Sequence, residues 1–351
     1  MCMKRKITSL ALAATAAFLA VSPSQADEKE IRFGTLAPKS SIWGKVFQIW
    51  QDAVAEQSQG AVKVTFYWNG GQGDEKTMVK DKMLGGSNQL DGVACTAVGL
   101  SVIWQPILAL QSPGLFRSWK ALDSARDGMK DKITAGFAAK GVVQLGGGDV
   151  GVAHLMSKGF EVRGPETLHG HNPYFWADDP VAPHFYTALK GHAVEKKSDF
   201  SVTPKGKQVP EVLSGLKSGD IDVINVPALA AQQLQWAKEI THIVVQPSGI
   251  GIGALVIKQS TLDKLTEDEK KLVVSTGGVA GADLTGRVRK ADASAFDKMK
   301  KEKTAVDLSD EDKESWEKVF KKARAKLKEG TFEADLMDKL EGQKGLASRA
   351  R

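Results

Sequence analysis

One phrase occurs twice in this chain and constrains its fold more than any other feature. Leu84-Gly85-Gly86 runs into Leu90-Asp91-Gly92-Val93-Ala94, and Leu216-Lys217-Ser218-Gly219 runs into Ile221-Asp222-Val223-Ile224. Each copy comes after a stretch with helical apolar spacing, Met78, Met83 and Leu84 in the first and Val209, Val212, Leu213 and Leu216 in the second. Each then reads as a helix end, a glycine free to take the left-handed cap, and a short buried strand opening on Asp. The strands do not alternate apolar with polar residues, which suits a sheet covered by helices on both faces. Two such units more than a hundred residues apart predict two similar α/β lobes. A cleft between lobes is where a small ligand is expected.

The N-terminus sets the compartment. Lys4, Arg5 and Lys6 precede an apolar run from Ile7 to Val21, and Ser22-Pro23-Ser24-Gln25-Ala26 ends in the small-x-small pattern that a signal peptidase cuts. The run is too short for a membrane span, which needs roughly 20 apolar residues. Cys2 lies ahead of the run, where a lipoprotein cysteine would lie after it. The expectation is an exported, periplasmic chain starting near Asp27. Removing the three leader cations lowers the formal charge from +6 to +3, too mild and too dispersed for a nucleic-acid footprint. Cys95 is then the only cysteine left. It excludes an intrachain disulfide and, among Val93, Ala94 and Ala97, reads as a buried inert thiol.

Along the expected mature chain, Ile31 to Leu36 reads as a strand, and Ser40 or Ser41 caps a helix to about Gln59 with Val46, Phe47, Trp50 and Val54 on one face. Val62 to Trp68 alternates as a second strand. Asp74-Glu75 places acid at the start of the next helix. Ser118 to Lys140 reads as a helix and Val142 to Leu145 as a strand. Gly146-Gly147-Gly148-Asp149-Val150-Gly151 matches G-x-G-x-x-G. Val152 to Met156 reads as a further strand, though, not as the helix that would hold a pyrophosphate. The glycines are therefore expected to form a flexible crossing between lobes. Beyond it come strands near Asn172 to Trp176 and at His192 to Glu195, a helix near Val181 to Lys190, a polar loop at Thr203 to Gln208, and a strand at Ile250 to Ile257. A charged helical region runs from Thr266 past Lys328.

The catalytic inventory is poor: H-E-x-x-H, G-x-S-x-G, C-x-x-C and P-loop motifs are all missing from the sequence. His169-Gly170-His171 offers two ligands where a zinc site needs three or four. Asp178-Asp179 precedes Pro180 and reads as a helix-start turn. The expectation is a binder with no enzyme activity, metal or cofactor.

Several segments resemble one family. Gln105-Pro106-Ile107-Leu108-Ala109-Leu110-Gln111-Ser112-Pro113-Gly114-Leu115-Phe116 is similar to the "PEL-x-x-x-x-LPFLF" segment of TRAP transporter solute-binding proteins, the DctP-like group. Ser157-Lys158 and then Pro165-Glu166-Thr167-Leu168-His169-Gly170 resemble "SK…PEDLKG", and Val209 to Pro227 resembles "VYTALQTGVVDGQENP". Leu255-Val256-Ile257-Lys258 with Leu265-Thr266-Glu267-Asp268-Glu269 resembles "LVVSK…LSPEEQ". The matches run in family order over nearly the whole mature chain. The resemblance implies an α/β, two-lobe periplasmic binding protein (type II-like), each lobe a mixed sheet flanked by helices. It also implies a small-molecule ligand and, as partners, TRAP membrane permease subunits. Residues 27–148 with about 240–280 are expected in lobe I and 149–239 with about 281–342 in lobe II, as a monomer, with 343–351 a frayed tail.

The departures from the family bear on specificity. Typical members hold a ligand carboxylate with an Arg in a "KIR" strand after "PEDLKG". Here that strand reads Asn172-Pro173-Tyr174-Phe175-Trp176. A second family Arg falls near Val152, and the family Asn of "GQENP" falls on Val226, leaving Asn225 one position earlier. This pattern resembles an AdeT-like branch lacking the ligand-binding arginines. An unpaired carboxylate in a dry cleft keeps its desolvation cost, so a neutral or largely apolar ligand is expected. Aromatic surface replaces the arginines: Tyr174 and Trp176 on one face of a strand, Trp43 after the first strand, Trp104 after the third, and Trp236 beyond the second repeated phrase. The candidate ligand-binding residues are Trp43, Trp104, Val152, Tyr174, Trp176, Asn225, Val226 and Trp236. The alternative is a periplasmic accessory protein linked to drug efflux, with the same fold and a different partner.

Overall fold

The computed structural model describes residues 28–349; the expected signal peptide lies outside the described residues. The strands are β1 (Lys29–Thr35), β2 (Val62–Tyr67), β3 (Gly92–Thr96), β4 (Val142–Ser157), β5 (Tyr174–Trp176), β6 (Lys205–Lys207), β7 (Val223–Pro227), β8 (His242–Val244), β9 (Gly249–Lys258) and β10 (Thr304–Val306). The main sheet runs in the order β10-β8-β4-β9-β3-β1-β2, with β7 also on β4. β1 lies parallel to both β2 and β3, while β9 is antiparallel to both β3 and β4. Together they form a two-lobe fold with a mixed sheet flanked by helices, in which β4 and β9 are long enough to belong to both lobes.

Helix Ile42–Gln57 shows why the first crossover forms. The Ser41 hydroxyl caps it by accepting from the Gly44 amide at 3.1 Å, and Val46, Phe47, Trp50 and Val54 are buried at helical spacing. Trp50 donates its indole N–H to Thr276 at 3.0 Å, fastening this helix to the long helix Glu267–Glu302. The two repeated phrases place their Asp residues in equivalent roles. Asp91 accepts from the backbone amide of Arg32 at 2.9 Å, and Asp222 from that of Asn172 at 2.7 Å. Each carboxylate ties the start of its strand to the neighbouring chain.

The repeat is not exact in its helix ends. Gly219 has φ +80° and caps helix Val212–Ser218. In the first copy neither Gly85 nor Gly86 is left-handed; Asn88 is, at φ 46°. The segment Met78–Met83 is a π-helix, whose wider turn places Met78, Val79 and Met83 all in the core.

Other expectations are corrected. The crossing at Gly146–Gly151 is the middle of one continuous strand, β4, paired with β9 through bulges at Gln144/Gly146 and Asp149/Gly151. Its glycines serve close packing: a Cβ on Gly146 would lie 2.6 Å from the Gly277 carbonyl oxygen, and one on Gly281 2.6 Å from that of Gly147. His192–Glu195 continues helix Ala182–Lys196, because Ala188, Leu189, His192 and Ala193 are buried at helical spacing. The charged C-terminal region is split by β10, which pairs with β8, into helices Glu267–Glu302 and Asp310–Lys328. β8, inside the 240–280 segment assigned to lobe I, pairs with the far end of β4 beside β7 on the other lobe. Helix Ala334–Arg349 follows Asp310–Lys328.

Candidate functional site

A cavity of about 400 Å³ opens between the lobes. One wall comes from the β1 end and the next helix (Thr35, Pro38, Trp43, Phe47) with β3 (Ala94, Cys95, Thr96). The opposite wall comes from β5 with the turn and helix after it (Tyr174, Phe175, Trp176, Asp179, Phe185, Tyr186) and from β7 with the next turns (Asn225, Val226, Trp236). The floor is the shared strand pair, with Gly148, Asp149, Val150, Ala153 and Gly251.

Six of the expected residues therefore meet in one cavity. Trp43 is held by its indole N–H, which donates to the Asp149 carbonyl at 3.2 Å. Trp176 donates to the Gln208 side chain at 3.3 Å. Tyr174 and Trp236 meet edge to face with ring centroids 6.0 Å apart, a favoured aromatic geometry. Asn225 accepts from the Ser248 hydroxyl at 2.6 Å, and Val226 lies beside it.

Two expected residues lie elsewhere. The Trp104 ring covers Gly136 of helix Trp119–Ala138, where an added Cβ would come within 2.4 Å of the indole. The short helix Ala97–Ser101 after β3 separates it from the cleft. Val152 points away from the cavity because its neighbours Ala153 and Leu155 hold the inward positions on β4; Val152 packs against the core, and its amide donates to Asp292 at 2.7 Å.

The ionisable side chains, which the sequence does not single out, are the most telling. The lining includes Glu75, Asp149 and Asp179, and no Lys, Arg or His among the described residues. Asp149 is matched from behind: Arg126 donates to it at 2.9 Å and Arg289 at 2.7 Å, and both arginines also grip Asp123. Trp119 stacks on the Arg289 guanidinium at 4.3 Å. Glu75 is 1% exposed. Its carboxylate accepts from the Thr96 amide at 2.8 Å, the Thr96 hydroxyl at 2.8 Å and the Gly99 amide at 2.9 Å. Burial outweighs those donors and pushes its pKa up to about 7. Asp179 caps Val181 by accepting its amide at 2.9 Å, as the Asp-Asp-Pro turn suggested, and burial raises it to about 6. Asp149 was legible only as part of a glycine motif, and Glu75 only as an acid at a helix start; neither pattern records burial.

Phe175, expected on the face opposite Tyr174 and Trp176, also lines the cavity, since β5 is a three-residue strand paired on one edge with β6 alone. His171 is engaged with Asp222 at 2.8 Å.

The profile of the family described as DctP, bacterial extracellular solute-binding protein, family 7, matches residues 33–173 and 189–331. A solute-binding protein of Roseobacter denitrificans is 24% identical over 279 residues, covering 78% of this chain and 80% of its own. Among solved structures, a TRAP periplasmic solute-binding protein of Ralstonia eutropha with bound (S)-2-acetolactate has a TM-score of 0.79 at 19% identity, covering 91% of this chain and 99% of its own. The sugar acid binding protein of Advenella mimigardefordensis in complex with galactonate matches with a TM-score of 0.79 at 17% identity and the same coverage. One from Sulfurospirillum deleyianum with bound succinate gives 0.75 at 19%, covering 90% and 99%. The chain belongs to the DctP family of bacterial extracellular solute-binding proteins, family 7, and is a solute binder rather than an enzyme.

Proposed function

We propose that this chain is the periplasmic solute-binding subunit of a TRAP-type secondary transporter whose ligand is a small, neutral or largely apolar molecule. It is exported by a signal peptide cut near Ala26, acts as a monomer, and delivers its ligand to the TRAP membrane permease subunits. Among the described residues no helix is long and apolar enough to cross a membrane.

The observation that carries the ligand reading is a cleft lined by aromatic rings and by carboxylates, with no arginine or lysine among the described residues to receive an anion. An anion there would be desolvated without a partner and would face like charge. Trp43, Tyr174, Trp176 and Trp236 supply apolar surface in its place, with Asn225 and Val226 closing the β7 side. Covering about 300 Å² of apolar ligand surface contributes on the order of 7 kcal/mol before ordering costs. The relatives crystallised with acetolactate, galactonate and succinate are bound to organic acids; this chain departs from the family pattern in the side chains of the cleft. Calorimetric titration with succinate and galactonate tests the reading. No binding at millimolar concentration is expected. Tight binding of either acid, abolished by replacing a nearby Arg or Lys, overturns it.

A further inference from the structure

Resting on the reading of the cleft as a site closed to anions, and taking the largely apolar of the two ligand descriptions, we infer that the ligand's one polar group is a protonated amine or equivalent organic cation. It is received where Glu75, Asp179, Tyr174 and Trp176 bound the cavity.

Four observations converge on that corner. First, the acids there are not already used. Asp149 has two arginines, whereas neither Glu75 nor Asp179 forms an ion pair with any Lys or Arg among the described residues. Second, Glu75 has acceptor capacity to spare. A carboxylate offers about four lone-pair positions, and three donors occupy them, two on Oε2 and one on Oε1. Third, Tyr174 is 8% exposed and lines the cavity, yet its hydroxyl makes no hydrogen bond among the described residues. Fourth, the acids lie beside aromatic rings. Glu75 and Asp179 share the cavity lining with Tyr174, Trp176 and Tyr186, and burial, followed by the charges of Asp74, Asp179 and Glu75, drives the Tyr174 hydroxyl pKa upward.

Carboxylates and ring faces both attract a cation, and both repel an anion. An ammonium supplies the counter-charge that would let both buried acids ionise, and it can donate to the Tyr174 hydroxyl oxygen. The titratable groups facing Glu75 are Asp74 on its own turn, Cys95 on β3 and Tyr174 on β5; none is a cation that would compete. Because burial holds Glu75 near neutrality, a bound ammonium favours its ionised form and releases a proton. Affinity for the cation should therefore rise with pH through about 6 to 7, while that for a neutral analogue stays flat.

Three probes of one shape separate the cases: 2-phenylethylammonium, 2-phenylethanol and 3-phenylpropanoate, titrated calorimetrically into the purified protein. The ammonium should bind at least about tenfold tighter than the alcohol, with the pH dependence above, and Glu75→Gln should remove most of that preference, read as the ratio of the two affinities in a variant whose circular dichroism shows it folded. Asp179→Asn provides a second arm should Glu75→Gln fail to fold. Equal binding of ammonium and alcohol, no binding of any probe, or an ammonium preference that survives both variants overturns the inference and leaves the exclusion of anions standing. Preferential binding of the propanoate overturns both.

Discussion

His154 and Glu75 are buried on opposite sides of their ordinary titrations, and the two pull the stability of the protein in opposite directions. His154 is 4% exposed, stacked on Phe296 and hydrogen-bonded to the Val244 carbonyl at 3.0 Å, and burial lowers its pKa to about 4. Below about pH 6.5 the unfolded chain takes up a proton that the native imidazole refuses, so this residue's contribution is present above that pH and is lost as pH falls towards 4. Glu75, raised to about 7 from 4.5, does the reverse: the native state keeps a proton the unfolded state has released, so stability falls as pH rises through that window. The His154→Gln variant should therefore gain on the parent by about 2 kcal/mol between about pH 7 and 5; parallel urea-denaturation curves at the two pH values would disprove the assignment. Trp176 tests the cavity wall. Trp176→Ala should weaken ligand binding by roughly 1–3 kcal/mol, and ligand should quench tryptophan fluorescence in the parent. Six of the candidate residues could be picked out as cavity lining from the sequence because they sit on short strands or in the turns and helix starts that follow strands, but Val152 and Trp104 lie elsewhere. A bulge at Asp149/Gly151 resets the alternation along β4, and the turn beyond Ala97–Ser101 carries Trp104 onto helix Trp119–Ala138.

At the scale of elements, the contact between β4 and the long helix Glu267–Glu302 holds the lobes in register. Gly146 and Gly281 face each other with no room for a side chain on either, since a Cβ on Gly281 would lie 2.6 Å from the Gly147 carbonyl oxygen and 2.8 Å from the Gly146 Cα. Gly281→Ala gains up to about 1 kcal/mol of helix propensity and meets backbone that cannot yield. The expected outcome is a net loss of about 1–3 kcal/mol in a denaturant titration; a neutral or stabilising result would show that helix and strand can slide apart. This pairing explains which elements local pattern could find. Helix Ile42–Gln57 and strands β1 and β2 emerge from periodicity and a cap, because their apolar spacing and the Ser41 cap are local signals that need no distant partner to be read. β10 and the continuity of β4 depend on partners more than fifty residues away, β8 for one and β9 for the other, and the glycines of β4 look like a loop until the helix that needs them is in place.

For the molecule as a whole, the cleft is bridged at its mouth. Asp74 accepts from the Val209 amide at 3.1 Å and Lys76 reaches Asp178 at 3.1 Å across the cleft, while Gln208, on the same side as Asp178, donates to it at 3.1 Å and holds it in place. The Lys76 pair is exposed and contributes little; the Asp74 bond, to a buried carboxylate, is worth about 1.5–3 kcal/mol. Asp74→Ala should favour the open form, so that small-angle scattering shows a larger radius of gyration without ligand and a fall on ligand binding that the parent shows to a smaller extent. Identical profiles for parent and variant, with and without ligand, would rule out closure through this bridge. The doubled phrase was enough to derive two α/β lobes, because helix spacing and a buried strand are written in residue type and local spacing; the charged leader and the side chains at the family arginine positions support the proposed export and the proposed exclusion of anions. Which acids line the cavity was decided only by folding. Glu75, Asp149 and Asp179 are far apart in sequence, and a carboxylate's burial, partners and proton affinity are set by the elements that fold against it, Thr96 and Gly99 for Glu75 and Arg126 and Arg289 for Asp149.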